Sequence, residues 1–298
     1  MSGVWMVMST FLQQLFNGLS LGGVYALEAV GFGIVFNILK FSNLSHGGVV
    51  AITAYFGYFI SRHYPNFVVT LIITTLFGGF VGVTIEKLIF RPIRLKGAPL
   101  TLFLVNSVTA AMLVQQFFAA AWGADYYPYP VFMKKTALNI GNFTVSKTYL
   151  LMLVISAVVL LLLSYVLRRT KIGIALRAAS TDIWTPNLMG INVDFVISSA
   201  FFIAGVLGGI TGYLLGMTYS VDPFIGSMAL KGILAAIIGG IGSLGGGVIA
   251  GLLFGVVESL FIAEIGSSLT QIVIYLGIFI LLLVRPEGIA GKRYIIKA

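Results

Sequence analysis

The stretch FLQQLFNGLSLGGVYALEAVGFGIVFNIL, residues 11–39, is almost entirely apolar and carries one charged side chain, Glu28. A helix needs about 20 mainly apolar residues to cross the hydrocarbon core of a bilayer. Similar stretches recur along the chain, of whose 298 residues 59% are hydrophobic and 9% charged, against about 25% charged in soluble domains. The composition therefore predicts an all-α, polytopic membrane helix bundle that forms a single transmembrane domain over residues 1–298.

Nine apolar stretches are predicted to cross the membrane. Two of them, at residues 49–61 and 228–241, are short enough to be re-entrant or broken helices, so we expect about 8–10 transmembrane helices. With the N-terminus outside, most lysines and arginines fall in inner loops, as the positive-inside rule requires. This distribution predicts a protein of the plasma membrane (the bacterial inner membrane) with a cytoplasmic C-terminus, and it accounts for the net charge of +9 without nucleic acid. The nine stretches are residues 11–39, 49–61, 67–90, 99–122, 149–167, 195–217, 228–241, 248–263 and 269–284.

The residue counts exclude several chemistries. The chain has no cysteine, which excludes disulfides and thiolate sites, and its two histidines are too few for us to expect a zinc site. It has no G-x-x-x-x-G-K-[ST] loop, so it cannot cradle ATP in that way. We therefore expect no cofactor in this chain, and an energy source in a partner or in an ion gradient.

Four ionisable residues lie inside predicted spans: Glu28, Glu86, Lys231 and Glu258. A charge at the middle of a spanning helix costs about 2.5–3.5 kcal/mol on insertion scales, so each is expected to point into the bundle, with Glu86 at the membrane interface. Glu28 and Lys231 both fall toward the outer half, and one hypothesis pairs them at an outer gate. The alternative is that both snorkel or pair elsewhere.

The stretch FSNLSHGGVV, residues 41–50, places polar residues and glycines between the first two apolar stretches. One interpretation is a capped turn, in which Asn43, Ser45 and His46 satisfy exposed backbone groups. The other is that Asn43 and His46 contribute to an inner gate. Both alternatives place the stretch at the inner membrane surface.

Two connections are longer than turns. Residues 123–147 are aromatic and are expected outside, either as an interfacial belt or as a docking surface for an external partner. Residues 168–194 are expected inside, where Ser180, Thr181 and Asp182 are N-cap candidates for a short amphipathic segment, residues 182–190, that ends at Gly190. We expect this segment to lie along the cytoplasmic surface as a helix.

Glycines occur at spacings of three and four inside several apolar stretches, and most densely in GGIGSLGGG, residues 239–247. Such spacing favours close packing of helix backbones in lipid. The densest run also fits an unwound segment, which membrane depth tolerates only against protein or a water-filled path.

Six stretches in order resemble the permease subunits of branched-chain amino acid ABC importers, and together they cover nearly the whole chain. They are NGLSLGGVYAL from Asn17, NLSHGG from Asn43, EKLIFRPIR from Glu86, LRAASTDIWTPNLMGIN from Leu176, DPFIGSMALKGILAAIIGGIGSLGGGVIAGLLFGVVE from Asp222, and VRPEGIAG near the end. The sequence departs from the family's pattern at Glu28, at Leu44 and Ser45, and at Asn106. These departures leave the solute open, since members of the family also move urea, short amides and aromatic acids.

The resemblance implies a permease subunit that pairs with a second homologous permease, two cytoplasmic ATP-binding subunits and an extracytoplasmic solute-binding protein, with ATP and Mg²⁺ on the ATP-binding subunits. Residues 182–190 then become the coupling helix that docks into a groove on the ATPase. The residues expected along the solute path are Asn17, Tyr25, Glu28, Asn43, His46, Asn106 and Lys231. The residues expected to couple to the ATPase are Arg177, Asp182, Trp184, Leu188, Met189 and Gly190.

Two other classes of function compete with this one. A secondary transporter would couple to an ion gradient through Glu28 or Glu258 and would transport without an ATPase. An intramembrane hydrolase would need a paired nucleophile and base, whereas His46 has no acid near it in the sequence. The chain is therefore expected to be a transporter subunit and not an enzyme.

Overall fold

The computed structural model describes residues 2–130, 132, 137–140, 143–182, 190–240 and 242–290. A π-helical turn, Glu86–Phe90, joins α3 (Phe67–Ile85) to α4 (Arg91–Leu95), and a 3₁₀ turn, Ile225–Met228, precedes α9 (Ala229–Ile238). A two-stranded antiparallel hairpin, β1 (Ala137–Ile140) with β2 (Phe143–Ser146), lies in the long connection before α6 (Lys147–Arg169). The helices are α1 (Ser2–Leu39), α2 (Ser45–His63), α3 (Phe67–Ile85), α4 (Arg91–Leu95), α5 (Leu100–Trp122), α6 (Lys147–Arg169), α7 (Lys171–Thr181), α8 (Val193–Tyr219), α9 (Ala229–Ile238), α10 (Leu244–Ile265) and α11 (Ser267–Val284).

Seven helices in the described part of the chain are long and apolar enough to cross a membrane, and they coincide with seven of the nine predicted stretches. The other two stretches are the short ones. The first lies in α2, a helix of 19 residues with Ser45 and His46 at its start and Arg62 and His63 at its end. The second lies in the shorter apolar helix Ile225–Ile238. The predicted polytopic membrane helix bundle is confirmed.

Side-chain caps explain where four of the helices begin. In each case an oxygen of the cap residue accepts a hydrogen bond of 3.0–3.2 Å from a backbone N–H two or three residues further on. Such caps satisfy N–H groups that the first turn leaves without a helical partner. The cap residues are Asn66 for α3, Thr170 for α7, Asn192 for α8 and Ser243 for α10.

The chain folds as two compact units, each built from segments that are distant in the sequence. Unit 1 comprises Met1–Val30, Met133–Val158 and Gly232–Ala298, and unit 2 comprises Gly31–Phe132 and Val159–Lys231. The single domain expected over residues 1–298 stays a prediction.

Unit 1 contains an antiparallel pair of glycine-rich helices, α1 and α10. A Cβ atom on Gly18 would lie 2.7 Å from the Cα of Val256, and one on Gly251 would lie 2.6 Å from the backbone nitrogen of Ala26. Further along the same crossing, Ser259 Oγ donates a hydrogen bond of 2.8 Å to the carbonyl oxygen of Gln14. The backbones therefore touch where the glycines recur at a spacing of four, as the sequence predicts.

Unit 2 contains a second antiparallel glycine pair, α3 against α8. A Cβ atom on Gly78 would lie 2.8 Å from the Cα of Gly209, and one on Gly209 would lie 3.0 Å from the carbonyl oxygen of Thr74. Helix α2 packs against the same α8 surface, where Thr53 Oγ1 donates to the carbonyl oxygen of Gly208 at 3.2 Å. Three helices of unit 2 are thus held at backbone contact.

Candidate functional site

In the turn at residues 41–50, Asn43 satisfies a backbone group, while Leu44, the N-cap residue of α2, makes no side-chain cap bond. Asn43 Oδ1 accepts hydrogen bonds from the backbone N–H of Ser45 at 3.2 Å and from its hydroxyl at 2.5 Å. Ser107 of α5 accepts a hydrogen bond from the backbone N–H of Leu44 at 3.2 Å, which ties α5 to the same turn. The capped-turn interpretation is therefore confirmed for Asn43, while its role in an inner gate stays a prediction.

His46 lies in the core of unit 2, with 3% of its surface exposed. Its ring packs against two glycines: a Cβ on Gly31 would lie 3.0 Å from Nε2, and a Cβ on Gly208 would lie 3.3 Å from Cε1. Glycine at both positions makes room for the imidazole between α1 and α8. The ring is consequently a packed core group, and its contribution to a gate is untested.

A groove of about 240 Å³ in unit 2 lies between the start of α2, the middle of α5 and the 3₁₀ turn. None of the described residues that line it is charged, and Gln115 and Ser227 offer uncharged polar groups. The floor is narrow because the backbones of Gly47 and Gly226 meet: a Cβ on Gly47 would lie 2.6 Å from the carbonyl oxygen of Gly226. The lining residues are Leu44, Gly47, Gly48, Ala51, Val108, Ala111, Met112, Gln115, Pro223, Gly226, Ser227 and Leu230.

Asn106, predicted on the solute path, lies on α5 and does not line this groove. Its Nδ2 donates to the carbonyl oxygen of Leu102 at 2.7 Å, and Thr109 on the next turn donates to the carbonyl oxygen of Val105 at 3.0 Å. Both polar groups are satisfied within their own helix. This lowers the cost of placing them at membrane depth.

Tyr25 and Glu28, also predicted on the path, lie in unit 1 on α1, and Asn17 lies half-buried two turns before Tyr25. The Tyr25 hydroxyl donates a hydrogen bond of 2.8 Å to Glu258 Oε2. Glu28 is fully buried. The Tyr25–Glu258 contact was missed at the sequence level, where neither residue had an assigned partner; the signal is that both follow a glycine of the α1–α10 crossing by three residues.

Lys231 belongs to unit 2, whereas Glu28 belongs to unit 1. Their pairing at an outer gate therefore stays a prediction. The assignment of Glu28 and Lys231 to the solute path also stays a prediction.

The aromatic connection after α5 folds back onto unit 2 at its first residues. Tyr127 exchanges two backbone hydrogen bonds of 2.8 Å with Val221, and the Tyr129 hydroxyl donates to the carbonyl oxygen of Ala54 at 2.7 Å. Burial raises the pKa of Tyr129 well above its ordinary value, so this hydroxyl stays protonated and acts as a donor. Both predicted roles of this connection, an interfacial belt and a docking surface, stay predictions.

The predicted coupling segment is described only at its ends. Trp184, Leu188 and Met189 lie outside the described residues. Asp182 follows α7 in an extended conformation, and Gly190 has a φ of +78°, a left-handed conformation that glycine adopts readily.

Two basic side chains hold α7, the helix before this segment. Arg177 Nη1 donates to the carbonyl oxygen of Leu167 at 2.6 Å, which ties α7 to the end of α6. Lys40 Nζ donates to the carbonyl oxygen of Ser180 at 3.0 Å. Arg177 therefore has a structural contact at this position, and its expected role toward an ATPase is untested.

An ionic cluster of unit 2 was missed at the sequence level. Glu86, expected at the interface, is fully buried. Its Oε1 lies 3.1 Å from Arg94 Nη2, and its Oε2 accepts a hydrogen bond of 2.9 Å from the Ser198 hydroxyl. Asp194 is 2.8 Å from both Arg91 and Arg94. The available signal was EKLIFRPIR, which places two arginines within about two turns of the glutamate.

Known proteins match the chain over nearly its full length. The family described as branched-chain amino acid transport system, permease component, matches residues 14–283. The chain is 31% identical to the high-affinity branched-chain amino acid transport system permease protein LivH of Escherichia coli K12, over 95% of this chain and 96% of that protein. It is 30% identical to the corresponding permease protein BraD of Pseudomonas aeruginosa, with the same two coverages.

A more distant match is the fructose import permease protein FrcC of Rhizobium meliloti, 33% identical over 45% of this chain and 39% of that protein. No solved structure matches the chain. The apolar helices and the family match agree on a membrane-spanning subunit of an ATP-driven importer, a transporter component and not an enzyme. The chain belongs to the family of permease components of branched-chain amino acid transport systems.

Proposed function

We propose that the chain forms one half of a translocation path for branched-chain amino acids or a related small polar solute in a bacterial inner membrane. The other half is a second homologous permease. Two cytoplasmic subunits bind ATP and Mg²⁺, and an extracytoplasmic binding protein delivers the solute. The family match supports partners that bind ATP and solute, and the number and pairing of the subunits are part of the proposal.

The observation that carries the solute assignment is the uncharged groove between α2, α5 and the 3₁₀ turn. Its volume of about 240 Å³ falls below the roughly 300–1,000 Å³ typical of sites for drug-sized ligands. Aliphatic and glycine walls suit a short apolar side chain, and Gln115 and Ser227 offer hydrogen bonds without charge. A path fed by a binding protein needs only weak contacts, because tight binding within it would slow release.

Filling the groove is expected to slow transport. Ala111→Phe places a ring into the space between α5 and α2. ATP-dependent uptake of labelled leucine into vesicles that hold the assembled transporter should therefore fall about tenfold or more, because a small displacement of the bound solute can cost factors of this size. Competition by unlabelled isoleucine, valine, urea and fructose reports the solute class. We expect isoleucine and valine to compete best.

Ala110→Phe is the matched control, because Ala110 is the preceding residue of α5 and does not line the groove. Uptake by this variant should stay near that of the parent. Equal loss in both variants would contradict the groove as the path, and uptake by the chain without any ATPase would favour the ion-coupled alternative. Strong competition by fructose alone would overturn the amino-acid assignment.

The proposed orientation places the N-terminus outside and the C-terminus in the cytoplasm. Basic residues follow α1 and α3 and form the last turn of α6, helices that would all run inward: Lys40, Arg91 and Arg94, and Arg168 with Arg169. The positive-inside rule places these ends on the cytoplasmic side.

Single cysteines test this orientation directly, since the chain has none of its own. A membrane-impermeant maleimide added to intact cells should label Tyr126→Cys, whose parent side chain is 73% exposed, and should label Lys171→Cys only after the membrane is opened. The unmodified chain is the blank. The reverse pattern would invert every side assigned above.

A further inference from the structure

The proposed coupling segment, residues 182–190, is held on both sides by charged side chains. On its N-terminal side, Lys40 at the end of α1 binds the carbonyl oxygen of Ser180. On its C-terminal side, Asp194 in the first turn of α8 binds Arg91 and Arg94. The attachment through Asp194 belongs to α8, the helix that packs against α3 through glycines.

The C-terminal attachment is an ionic cluster of two carboxylates and two guanidinium groups, Glu86, Asp194, Arg91 and Arg94, in which the charges balance. Arg94 bridges both carboxylates, at 3.1 Å from Glu86 and 2.8 Å from Asp194. Because Glu86 has no exposed surface, its pair with Arg94 lies in a region of low dielectric, where an ion pair is stronger than at the surface, whereas the side chain of Asp194 is 39% exposed.

Helix α8 carries two residues of the contact one turn apart. Asp194 meets the arginines, and Ser198 donates to Glu86 at 2.9 Å. Asp194 also lies in the first turn of α8, where a negative charge is favourable to the helix dipole. Two contacts one turn apart fix the rotation of α8 about its axis as well as its position.

The contact continues into the backbone packing of α3 and α8. Gly78 and Gly82 of α3 lie on the same face as Glu86, and they meet Gly205 and Gly209 of α8. Close-packed interiors transmit strain, so these contacts can pass a displacement from one helix to the other.

We propose that Glu86, Arg91, Arg94 and Asp194 form a transmission joint that converts a displacement of the coupling segment into a joint movement of α3 and α8. These four are positioning residues and touch no solute. The proposal rests on the function proposed above, because it takes the segment before α8 as the contact with the ATPase. Without the joint, only the glycine contacts would pass a displacement of the segment from α8 to α3.

Asp194→Asn removes the charge and keeps the shape of the side chain. In vesicles that hold the assembled transporter, the number of leucine molecules moved per ATP hydrolysed should fall about tenfold, within the 5–150-fold range of typical allosteric couplings, while ATP hydrolysis itself continues. Asp194→Glu should recover most of the ratio. Co-purification of the ATPase with the variant shows that assembly is intact.

Ser198→Ala and Ser199→Ala are a matched pair of controls. Ser198 reaches Glu86, whereas the hydroxyl of Ser199 donates to the carbonyl oxygen of Phe195 in its own helix. Ser198→Ala should lower the ratio and Ser199→Ala should leave it unchanged. An unchanged ratio in Asp194→Asn, or a proportional fall of transport and hydrolysis together, would overturn the joint.

Spin labels test the joint separately from transport. Labels at Leu88 and Phe195, whose side chains are 72% and 61% exposed, should give a narrow distance distribution in the full chain and a broad one in the chain that also carries Asp194→Asn. Equal widths would overturn the joint even if transport is ATP-driven. If the parent shows a narrow distance distribution but no ATP-dependent uptake, the proposed function is contradicted and the α3–α8 contact still stands.

Discussion

Gly205→Leu is expected to prevent α3 and α8 from packing and to leave little folded protein in the membrane. A Cβ atom at Gly205 would fall on the carbonyl oxygen of Gly78 and lie 3.1 Å from the Cα of Gly79. These are backbone atoms, which cannot turn aside as a side chain can. Overpacking a well-packed core typically costs about 1–3 kcal/mol, and a leucine side chain adds three further carbons.

Such a cost removes a substantial fraction of the roughly 5–15 kcal/mol by which the folded state of a typical protein is more stable than the unfolded state. The measurement is the fraction of monodisperse protein that survives a heating series in detergent, with the amount of chain in the membrane as a second readout. Gly205→Ala should show a smaller shift in the same direction.

Gly277→Leu is the control for the size of the side chain. A Cβ on Gly277 of α11 meets no atom within 4 Å, and leucine favours a helix over glycine by roughly 0.5–1 kcal/mol. This variant should be as stable as the parent or more so. Equal losses in both variants would show that bulk alone, and not the α3–α8 crossing, decides the result.

Trp184→Ala is expected to leave the chain inserted in the membrane while transport and solute-stimulated ATP hydrolysis fall by about 30-fold or more. An aromatic anchor often dominates a helix-in-groove contact, and its truncation commonly costs about 2–4 kcal/mol. Both activities are measured on the reconstituted transporter. The amount of co-purified ATPase reports how much of the contact is lost.

Trp122→Ala is the matched control, because Trp122 ends α5 on the side proposed to face outward and packs against Phe118 with ring centroids 5.5 Å apart. Its loss should cost stability and leave the ratio of transport to hydrolysis unchanged. Unchanged transport in Trp184→Ala, with assembly intact, would remove residues 182–190 from the coupling role.

The helix positions could be predicted from the sequence because each spanning helix satisfies its own backbone hydrogen bonds and needs only a long apolar stretch. Seven predicted stretches coincide with apolar spanning helices, and the two flagged as short are the two that lack this length or composition. The Asn43 turn could be predicted for a similar reason, since its hydrogen bonds reach residues two positions away.

The candidate sites depend on contacts between residues far apart in the chain. The partner of Tyr25 is Glu258. Asp194 binds Arg94, which lies 100 residues earlier in the sequence. Local patterns carry no information about such pairs, so the sequence predicted that Glu86 points into the bundle but not that it meets Arg94 and Ser198. The glycine spacing predicted close packing but could not say which helices meet.

By itself, the sequence determined the membrane environment, the helical class, most of the spans and the permease family, because these follow from composition, local hydrogen bonding and ordered motifs. Only the tertiary structure decided that α1 meets α10 and α3 meets α8, that a groove without charges opens beside α5, and that Glu86 joins Arg94 and Ser198. The physical reason is that lipid accepts any apolar helix surface equally well, so the pairing of helices is set by how closely particular backbones and buried charges fit one another.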